Sequence, residues 1–320
     1  MGASFAPLPP PPSPSPEINA ANIPAAADLP QDAPVFIMLH GINGGSHEGP
    51  TKWAIATGAV RGWRCAALNL RGCNGVALIT PKVYCAASAE DVRAAVSAAH
   101  AKYPLAPILL AGYSLGTYVL GTYLAEEDSK PGGHAASGVA GAVLISCPLD
   151  PHSSYAGLSD SERPTGLMYN AAITAELRRY FSKHQDDVKG HPEVNELVNA
   201  TELRTIRDFE ANFIIKTHGF DTVDDYYEYF SPARIIPSIR TPTLFLVAKD
   251  DPFVGQMQQV ETAIRGTKHV LLAHIGQGGH VAFLEKGTGL WGPCWTDRVL
   301  GEFLEAAMGP RSAAAAAEEA

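Results

Sequence analysis

A serine between two glycines is the first feature of this sequence that could do chemistry. Ser114 lies at the centre of Gly112-Tyr113-Ser114-Leu115-Gly116, within the longer stretch PILLAGYSLGTYVLGTYL. A G-x-S-x-G sequence can hold a nucleophilic serine on a strained turn between a strand and a helix, where side chains at the two glycine positions would collide with neighbouring chain. A free serine hydroxyl is a weak nucleophile, so it needs an adjacent base and an acid that orients the base.

The base is predicted to be a histidine that follows a strand. Of the eleven histidines in the chain, His280 in GQGGHVAF is the best placed. It follows the last predicted strand, and the glycines before it allow its loop to fold back over Ser114. The competing interpretation is a surface or helix-capping histidine, and the strand end, the glycine loop and the chain order favour the catalytic one.

Two adjacent aspartates compete for the role of the orienting acid. Asp250 and Asp251 lie in VAKDDPF, directly after a predicted strand. Adjacent side chains point in different directions, so only one of them can reach the imidazole. Asp251 is favoured because Pro252 fixes the turn that follows it, and Asp250 is then a turn or helix-capping residue. The chain order serine, aspartate, histidine is the order found in α/β-hydrolases.

Two backbone N–H groups are predicted to stabilise the oxyanion that forms when the serine attacks a carbonyl. The first belongs to Leu115, which follows the serine at the start of a predicted helix. The second belongs to Ile42 in LHGINGGS, where glycines allow the backbone to approach a substrate closely. His40 is predicted to be structural and to pack under this loop. A phosphate-binding role is disfavoured because the loop lacks the G-x-x-x-x-G-K-[ST] pattern.

The elements that must position these residues alternate between strand and helix. Short apolar runs without polar alternation predict buried strands, and apolar residues at helical spacing predict the helices between them. The predicted strands are residues 35–39, 65–70, 107–111, 139–145, 243–247 and 270–272. With right-handed crossovers, this alternation predicts an α/β fold with a doubly wound, mostly parallel sheet that binds ligands at the carboxyl ends of its strands.

The domain organisation is predicted from changes in composition along the chain. Residues 1–33, including PLPPPPSPSP, are predicted to form a disordered lead-in, and residues 309–320 a disordered tail. Residues 34–308 are predicted to form one domain. Within it, the segment from about 148–237 contains helical, charged and aromatic stretches but no obvious buried strand, which predicts an inserted helical cap.

The overall charge argues against several classes of partner. The net charge is −9, and no cluster of lysine and arginine is present. We therefore expect no nucleic-acid partner and no attraction to anionic lipid headgroups. No apolar run is long enough to cross a bilayer, so we expect any membrane contact to be peripheral.

The metal-ligating residue types show no binding pattern. Five cysteines are an odd number and lack C-x-x-C spacing, and HPEVNE lacks the second histidine of the H-E-x-x-H pattern. We therefore expect no metal and no cofactor. The cysteine usage and the lack of a signal-peptide pattern favour a reducing compartment, and we expect a cytoplasmic location.

Four aromatic residues in the predicted cap have two interpretations. Tyr226, Tyr227, Tyr229 and Phe230 either line an acyl pocket or belong to the hydrophobic core. The core interpretation is favoured because aromatic side chains contribute so much buried area.

The sequence resembles the α/β-hydrolase superfamily and, within it, the YheT-type branch of esterases, which is related to the yeast medium-chain fatty acid ethyl ester synthase/esterases. The resemblance covers about residues 35–303. It rests on LHGINGGS, NLRGCNG, GYSLGTYVLGTYL, RDFEANFIIKTHGFDTVDDYY, PTLFLVAKDDPF and GGHVAF. The resemblance implies a triad of Ser114, Asp251 and His280, an oxyanion hole at Ile42 and Leu115, and short- to medium-chain acyl esters as substrates.

The predicted function is a serine carboxylesterase that acts on a small-molecule acyl ester through an acyl-enzyme. An alcohol that replaced water would make the protein an acyltransferase, and the sequence does not separate these two reactions because both pass through the same intermediate. A non-catalytic binding protein with the same fold is a further alternative, which the complete triad disfavours. An interaction protein that uses the proline-rich lead-in is another. The natural ester and the oligomeric state are not predicted.

Overall fold

The computed structural model of the chain describes residues 25, 28–160, 162, 164–189, 191, 202–285 and 292–309. Most of the predicted lead-in (1–33) and nearly all of the predicted tail (309–320) lie outside these residues. The disorder of both segments and the boundaries of the domain therefore stay predictions.

Six strands form one sheet in the described part of the chain. Their order across the sheet is β2-β1-β3-β4-β5-β6, and all five neighbouring pairs are parallel. The strands are β1 (Val35–Leu39), β2 (Arg64–Leu68), β3 (Ile108–Tyr113), β4 (Val139–Ile145), β5 (Thr243–Ala248) and β6 (Val270–Ile275). Each predicted strand is present, and the predicted doubly wound, mostly parallel sheet is confirmed.

Helices cover both faces of this sheet. Side chains of β1 alternate between two hydrophobic cores: Val35, Ile37 and Leu39 belong to one, and Phe36 and Met38 to the other. Alternate residues of a strand point to opposite faces, so a strand buried on both faces must be apolar throughout. This burial explains why the strands appear in the sequence as continuous apolar runs.

Five of the six helices of the sheet domain lie between successive strands, and the sixth follows the last strand. They are α1 (Gly49–Ala59), α2 (Glu90–Lys102), α3 (Leu115–Asp128), α4 (Gly133–Ser137), α11 (Gln258–Arg265) and α12 (Trp295–Met308), where α11 and α12 follow the cap helices described next. Parallel strands need such crossovers because the chain must return to the end of the sheet at which the previous strand began before it can form the next one.

The described residues of the segment between β4 and β5 form helices joined by turns and loops, and none of them lies in a strand of its own, which confirms the predicted inserted cap. Its elements are α5 (Pro151–Ser159), α6 (Pro164–Val188), α7 (Ile206–Phe209), a π-helical segment (Glu210–Ile214), α8 (Ile215–His218), α9 (Val223–Phe230), α10 (Pro232–Ile235) and a short 3-10 turn (Ile236–Ser238). The cap covers the carboxyl edge of the sheet near α3, where the Phe230 ring of α9 lies 4.4 Å from the Tyr118 ring of α3.

Candidate active site

Ser114 occupies a strained turn at the carboxyl end of β3. It lies between the last residue of β3 and the first residue of α3, with φ of 50° and ψ of −120°. A positive φ is unfavourable for a residue with a side chain, and such strain is held only where the surrounding structure enforces it. Here the Ser114 N–H donates to the carbonyl oxygen of Ile145 in β4, at 3.0 Å. The sheet therefore holds the strained residue in place.

The two glycines that flank the serine are required by close packing. A Cβ atom on Gly116 would lie 2.5 Å from the carbonyl oxygen of His40, and one on Gly112 would lie 3.0 Å from the carbonyl carbon of Gly116. These separations are too short for a side chain at either position without movement of the backbone. The close packing that the sequence predicted at both glycines is therefore present in the structure.

The structure brings the three predicted triad side chains together. His280 Nε2 lies 2.8 Å from Ser114 Oγ, and His280 Nδ1 lies 2.9 Å from Asp251 Oδ2. In a neutral imidazole with its proton on Nδ1, the serine hydroxyl donates to Nε2 and Nδ1–H donates to the carboxylate. These contacts are the arrangement required for a base that removes the serine proton and an acid that orients the base.

The two adjacent aspartates make different contacts. The Asp251 side chain is fully buried, and its Oδ1 accepts a hydrogen bond from the Phe253 N–H at 2.8 Å. The Asp250 Oδ1 accepts from the N–H groups of Gly278 and Gly279, both at 2.9 Å. Asp250 was predicted to be a turn or helix-capping residue. It does lie in a turn, and it also holds the loop before the histidine, a long-range contact that the local sequence does not reveal.

The candidate oxyanion residues lie beside the serine. Ile42 and Leu115 line the same cavity as Ser114. Leu115 is the first residue of α3, where N–H groups have no partner within the helix and point outward from its N-terminus. The residue after Ile42, Asn43, has φ of 52°, and its Oδ1 accepts a hydrogen bond from the Tyr84 hydroxyl. The role of both N–H groups in binding an oxyanion stays a prediction.

His40 supports the loop that carries Ile42, as the sequence predicted. Its side chain is buried, its Nδ1 lies 2.6 Å from the Gly41 carbonyl oxygen, and its Nε2 accepts from the Leu70 N–H at 3.1 Å. Burial lowers the pKa of His40 from its ordinary value of 6.5. A neutral ring with its proton on Nδ1 satisfies both contacts.

A cavity of about 120 Å³ opens beside the serine hydroxyl. Sheet-domain and cap residues both line it, and most of its lining is apolar. The apolar side chains include Ile42, Leu115, Tyr118, Leu158, Phe230 and Phe253. Such a cavity suits a hydrocarbon chain attached to a reacting carbonyl group.

The four aromatic residues of the cap divide between the two interpretations. Tyr226, Tyr227 and Phe230 line the cavity and are also buried in the core. Tyr229 lies outside the cavity lining, and its hydroxyl donates to Glu126 at 3.1 Å. Three of the four therefore serve both as core and as cavity wall.

One polar cavity residue was missed by the sequence analysis. Glu210 lines the cavity beside Ser114, although RDFEANF contributed only to the family resemblance. The Tyr227 hydroxyl donates to Glu210 Oε2 at 2.5 Å. No local sequence signal separates this glutamate from the other acidic residues of the cap.

The described residues contain neither a cluster of metal ligands nor a helix that could span a membrane. Among them, no group of three or more histidine, cysteine, aspartate and glutamate side chains could hold a metal ion. No described helix combines the length and apolar character that crossing a bilayer requires. All five cysteines are free. The cellular compartment stays a prediction.

Comparison with known sequences identifies relatives that act on lipids and esters. Phospholipase ABHD3 of Mus musculus is 34% identical over 279 residues, which are 85% of this chain and 64% of that protein. The monoacylglycerol lipase of Saccharomyces cerevisiae is 27% identical over 80% of this chain and 56% of its own length. Medium-chain fatty acid ethyl ester synthase/esterase 2 of the same yeast is 26% identical over 81% of this chain and 60% of its own length. The chain thus spans less than two thirds of each of these relatives.

Solved structures share the fold at low sequence identity. The esterase Pf2001 of Pyrococcus furiosus has a TM-score of 0.52 and 16% identity, over 87% of this chain and 85% of that one. A bacterial membrane phospholipase A has a TM-score of 0.52 and 19% identity, over 88% and 82%. A family model for the alpha/beta hydrolase fold matches residues 34–287. Because that match covers most of the chain, the protein belongs to the α/β-hydrolase fold family.

Proposed function

We propose that this protein is a serine carboxylesterase that hydrolyses short- to medium-chain acyl esters through an acyl-enzyme. The contact that carries the proposal is the 2.8 Å separation between Ser114 Oγ and His280 Nε2, with Asp251 on the other ring nitrogen. The apolar cavity beside the serine supports an acyl chain as the group that binds there.

The first half of the reaction forms the acyl-enzyme. Ser114 Oγ attacks the ester carbonyl carbon while its proton passes to His280 Nε2. The carbonyl oxygen becomes an oxyanion, which the N–H groups of Ile42 and Leu115 stabilise, and the loss of one such donor typically costs about 3 kcal/mol of transition-state stabilisation. The carbon–oxygen bond to the alcohol then breaks, and the leaving oxygen takes the proton from Nε2.

The second half of the reaction returns the enzyme to its starting state. A water molecule gives a proton to His280 Nε2 and attacks the acyl carbonyl, and the bond from this carbonyl to Ser114 Oγ breaks as the proton returns to the serine. Asp251 stays ionised in both halves. Its role is to hold the imidazole in one tautomer and to stabilise the imidazolium, which its hydrogen bond to Nδ1 supports.

The names of the relatives support ester hydrolysis without selecting a substrate. They are a phospholipase, a monoacylglycerol lipase and a fatty acid ethyl ester synthase/esterase, and all three names describe enzymes that act on lipids or on esters of fatty acids. The chain covers only part of each relative, so the activity of those whole proteins is extended to this chain as a proposal.

A series of p-nitrophenyl esters of increasing acyl length tests the proposal. We expect hydrolysis by the wild type, with a maximum at short or medium chains, and a loss of kcat of about a thousandfold or more in Ser114→Ala and His280→Ala. Hydrolysis retained by purified Ser114→Ala would contradict the assignment of the nucleophile.

Acyl transfer to an alcohol is the second candidate function. It is favoured by the relative whose name combines ester synthase and esterase. Both reactions share the acyl-enzyme and differ only in whether water or an alcohol enters the cavity. Product analysis with and without added ethanol separates them: a hydrolase yields mainly fatty acid in both cases, whereas a transferase yields the ethyl ester once ethanol is present.

A further inference from the structure

A carboxyl group stands in the wall of an otherwise mostly apolar cavity. Glu210 lines the cavity beside Ser114 and also a smaller adjoining cavity of about 30 Å³. Ile42 and Leu115 line both cavities, so the glutamate lies in the same region as the candidate oxyanion residues. The proposed hydrolysis assigns no step to Glu210. A carboxyl group among apolar side chains lowers the stability of the fold unless it is hydrogen-bonded.

The hydrogen bonds of Glu210 leave one of its oxygens available. Oε2 accepts from the Tyr227 hydroxyl at 2.5 Å, and Oε1 has no hydrogen-bond partner among the described residues. The nearby cation on the same helical stretch, Arg207, is paired with Asp224 at 2.8 Å. The cavity therefore contains a carboxyl group that one phenol holds in position and whose second oxygen has no partner in the part of the chain that the structure describes.

The local backbone departs from a regular α-helix at this residue. Glu210 is the first residue of the π-helical segment between α7 and α8. Single π-helical turns within an α-helix occur frequently at functional sites, because the extra residue changes the direction of the side chains around it. The placement of the carboxyl group in the cavity coincides with this irregularity.

The protonation state of Glu210 selects the chemistry of its ligand. Burial raises the pKa of Glu210 from 4.5 to about 8, against the opposing effects of the Tyr227 hydrogen bond and of the Arg207 charge. At neutral pH the side chain is then mostly a neutral acid, which offers both a donor and an acceptor. A neutral acid has no negative charge to attract a cation. A hydroxyl group is the better match, because like the neutral acid it both donates and accepts a hydrogen bond.

We propose that Glu210 and Tyr227 form a polar subsite of the Ser114 cavity that binds a hydroxyl group of the ester substrate. This inference rests on the proposed esterase function and names a substrate class for it, the hydroxyl-bearing acyl esters. The hydroxyl group belongs either to the alcohol half of the ester or to the acyl chain. Both sources present the same chemistry to the subsite.

Two pairs of esters distinguish these sources. In the first pair, butyl hexanoate is compared with 3-hydroxypropyl hexanoate, in which a hydroxyl replaces the terminal methyl group of the alcohol. In the second, butyl heptanoate is compared with butyl omega-hydroxyhexanoate, in which the same replacement is made in the acyl chain. Each pair keeps the number of heavy atoms constant, so the ratio of the two kcat/KM values reports hydroxyl recognition.

We expect the wild type to prefer the hydroxylated ester of one pair by about tenfold, since a buried polar group left without its partner is unfavourable. Glu210→Leu should remove this preference and raise kcat/KM for the hydrocarbon ester. Glu210→Gln keeps a donor and an acceptor and should retain most of it, and Tyr227→Phe should reduce it several-fold. The ratio compares two esters on one preparation, so a partly misfolded variant does not distort it.

Tyr229→Phe is the matched control. Tyr229 lies on the same helix as Tyr227 but outside the cavity lining, and its substitution removes a hydrogen bond to Glu126 of α3, so the ratio should stay unchanged. Wild-type ratios near one for both pairs, or a preference unaffected in both Glu210→Leu and Tyr227→Phe, would overturn the subsite. Absence of hydrolysis of all four esters would instead count against the proposed function, so the two failures are distinguishable.

Discussion

Asp250 Oδ1 accepts a hydrogen bond from the backbone N–H of Gly278 at 2.9 Å, two residues before His280. A second bond of the same length comes from Gly279. Because Asp251 bonds the imidazole itself, two consecutive aspartates hold one histidine: one contacts the ring and the other contacts the backbone of its loop. The loop after β6 is thereby fixed to the end of β5, which keeps the imidazole within hydrogen-bond distance of Ser114.

Removing the Asp250 carboxylate should lower kcat without weakening substrate binding. We expect Asp250→Ala to reduce kcat about tenfold with KM within about twofold, because a looser loop places the imidazole less accurately. Asp250→Asn keeps an acceptor and should recover most of the rate. Steady-state kinetics on a p-nitrophenyl ester provides the measurement, with the exposed Asp221→Ala as control.

The two aspartates should differ strongly in this assay. Asp251→Asn is expected to cost about a thousandfold or more in kcat, because it loses the acceptor that sets the imidazole tautomer. If Asp250→Ala were as damaging as Asp251→Asn, the roles assigned to the two residues would be wrong.

Gly116→Ala should destabilise the fold. The added Cβ would lie 2.5 Å from the His40 carbonyl oxygen, so backbone must move. We expect the free energy of unfolding to fall by about 1 to 3 kcal/mol. Gly49→Ala, where a Cβ meets nothing within 4 Å, is the control and should change it by less than about 0.5 kcal/mol. Equal stability of the two variants in urea denaturation would argue against close packing at the turn.

Phe230→Leu should shift the preferred substrate toward longer acyl chains. Phe230 lines the cavity and lies against Tyr118, so a smaller side chain leaves room for more hydrocarbon. Each buried methylene contributes about 0.8 kcal/mol, so we expect the ratio of kcat/KM for heptanoate over hexanoate, which differ by one methylene, to rise about fourfold. Phe220→Leu removes a ring outside the cavity lining and should leave the ratio as it is. A ratio unchanged in Phe230→Leu would place the acyl chain elsewhere.

Glu210 should make stability depend on pH. Its pKa is raised from 4.5 to about 8 in the folded chain, so between these values the folded protein binds a proton that the unfolded chain has lost. Raising the pH through this window therefore favours unfolding, by about 1 kcal/mol per pH unit for this group. We expect Glu210→Gln to gain stability relative to the wild type as the pH rises from about 5 to 8 in denaturant titrations. A stability difference that does not vary with pH would contradict the raised pKa.

Much of this molecule could be predicted from its sequence because parallel sheets have simple rules. Strands covered on both faces appear as apolar runs, and their carboxyl ends meet at one edge. Ser114, Asp251 and His280 each follow such a run, so their approach follows from the topology. The role of Gly112 and Gly116 could also be predicted, because a strand–turn–helix of this kind leaves no space for a side chain at either position.

The features that could not be predicted depend on contacts between distant segments. Asp250 reaches a loop 28 residues away, and nothing in VAKDDPF indicates where that loop returns. Helical spacing of 100° per residue separates Tyr229 from Tyr227 by about 200° around α9. Tyr226 and Phe230 lie between these two on the same side of the helix, so helical spacing alone does not indicate which of the four rings meet the cavity. Glu210 carries no local signal, because its environment is set by the packing of the cap against the sheet domain.

The central claim is that Ser114 is the nucleophile, activated by His280. The most direct measurement is labelling of the native protein with a fluorophosphonate probe, followed by mass spectrometry of the labelled peptide. The account predicts one adduct on Ser114, no adduct in Ser114→Ala, and slow labelling in His280→Ala. A folded wild-type protein that stays unlabelled, or an adduct on another residue that persists in Ser114→Ala, would contradict it.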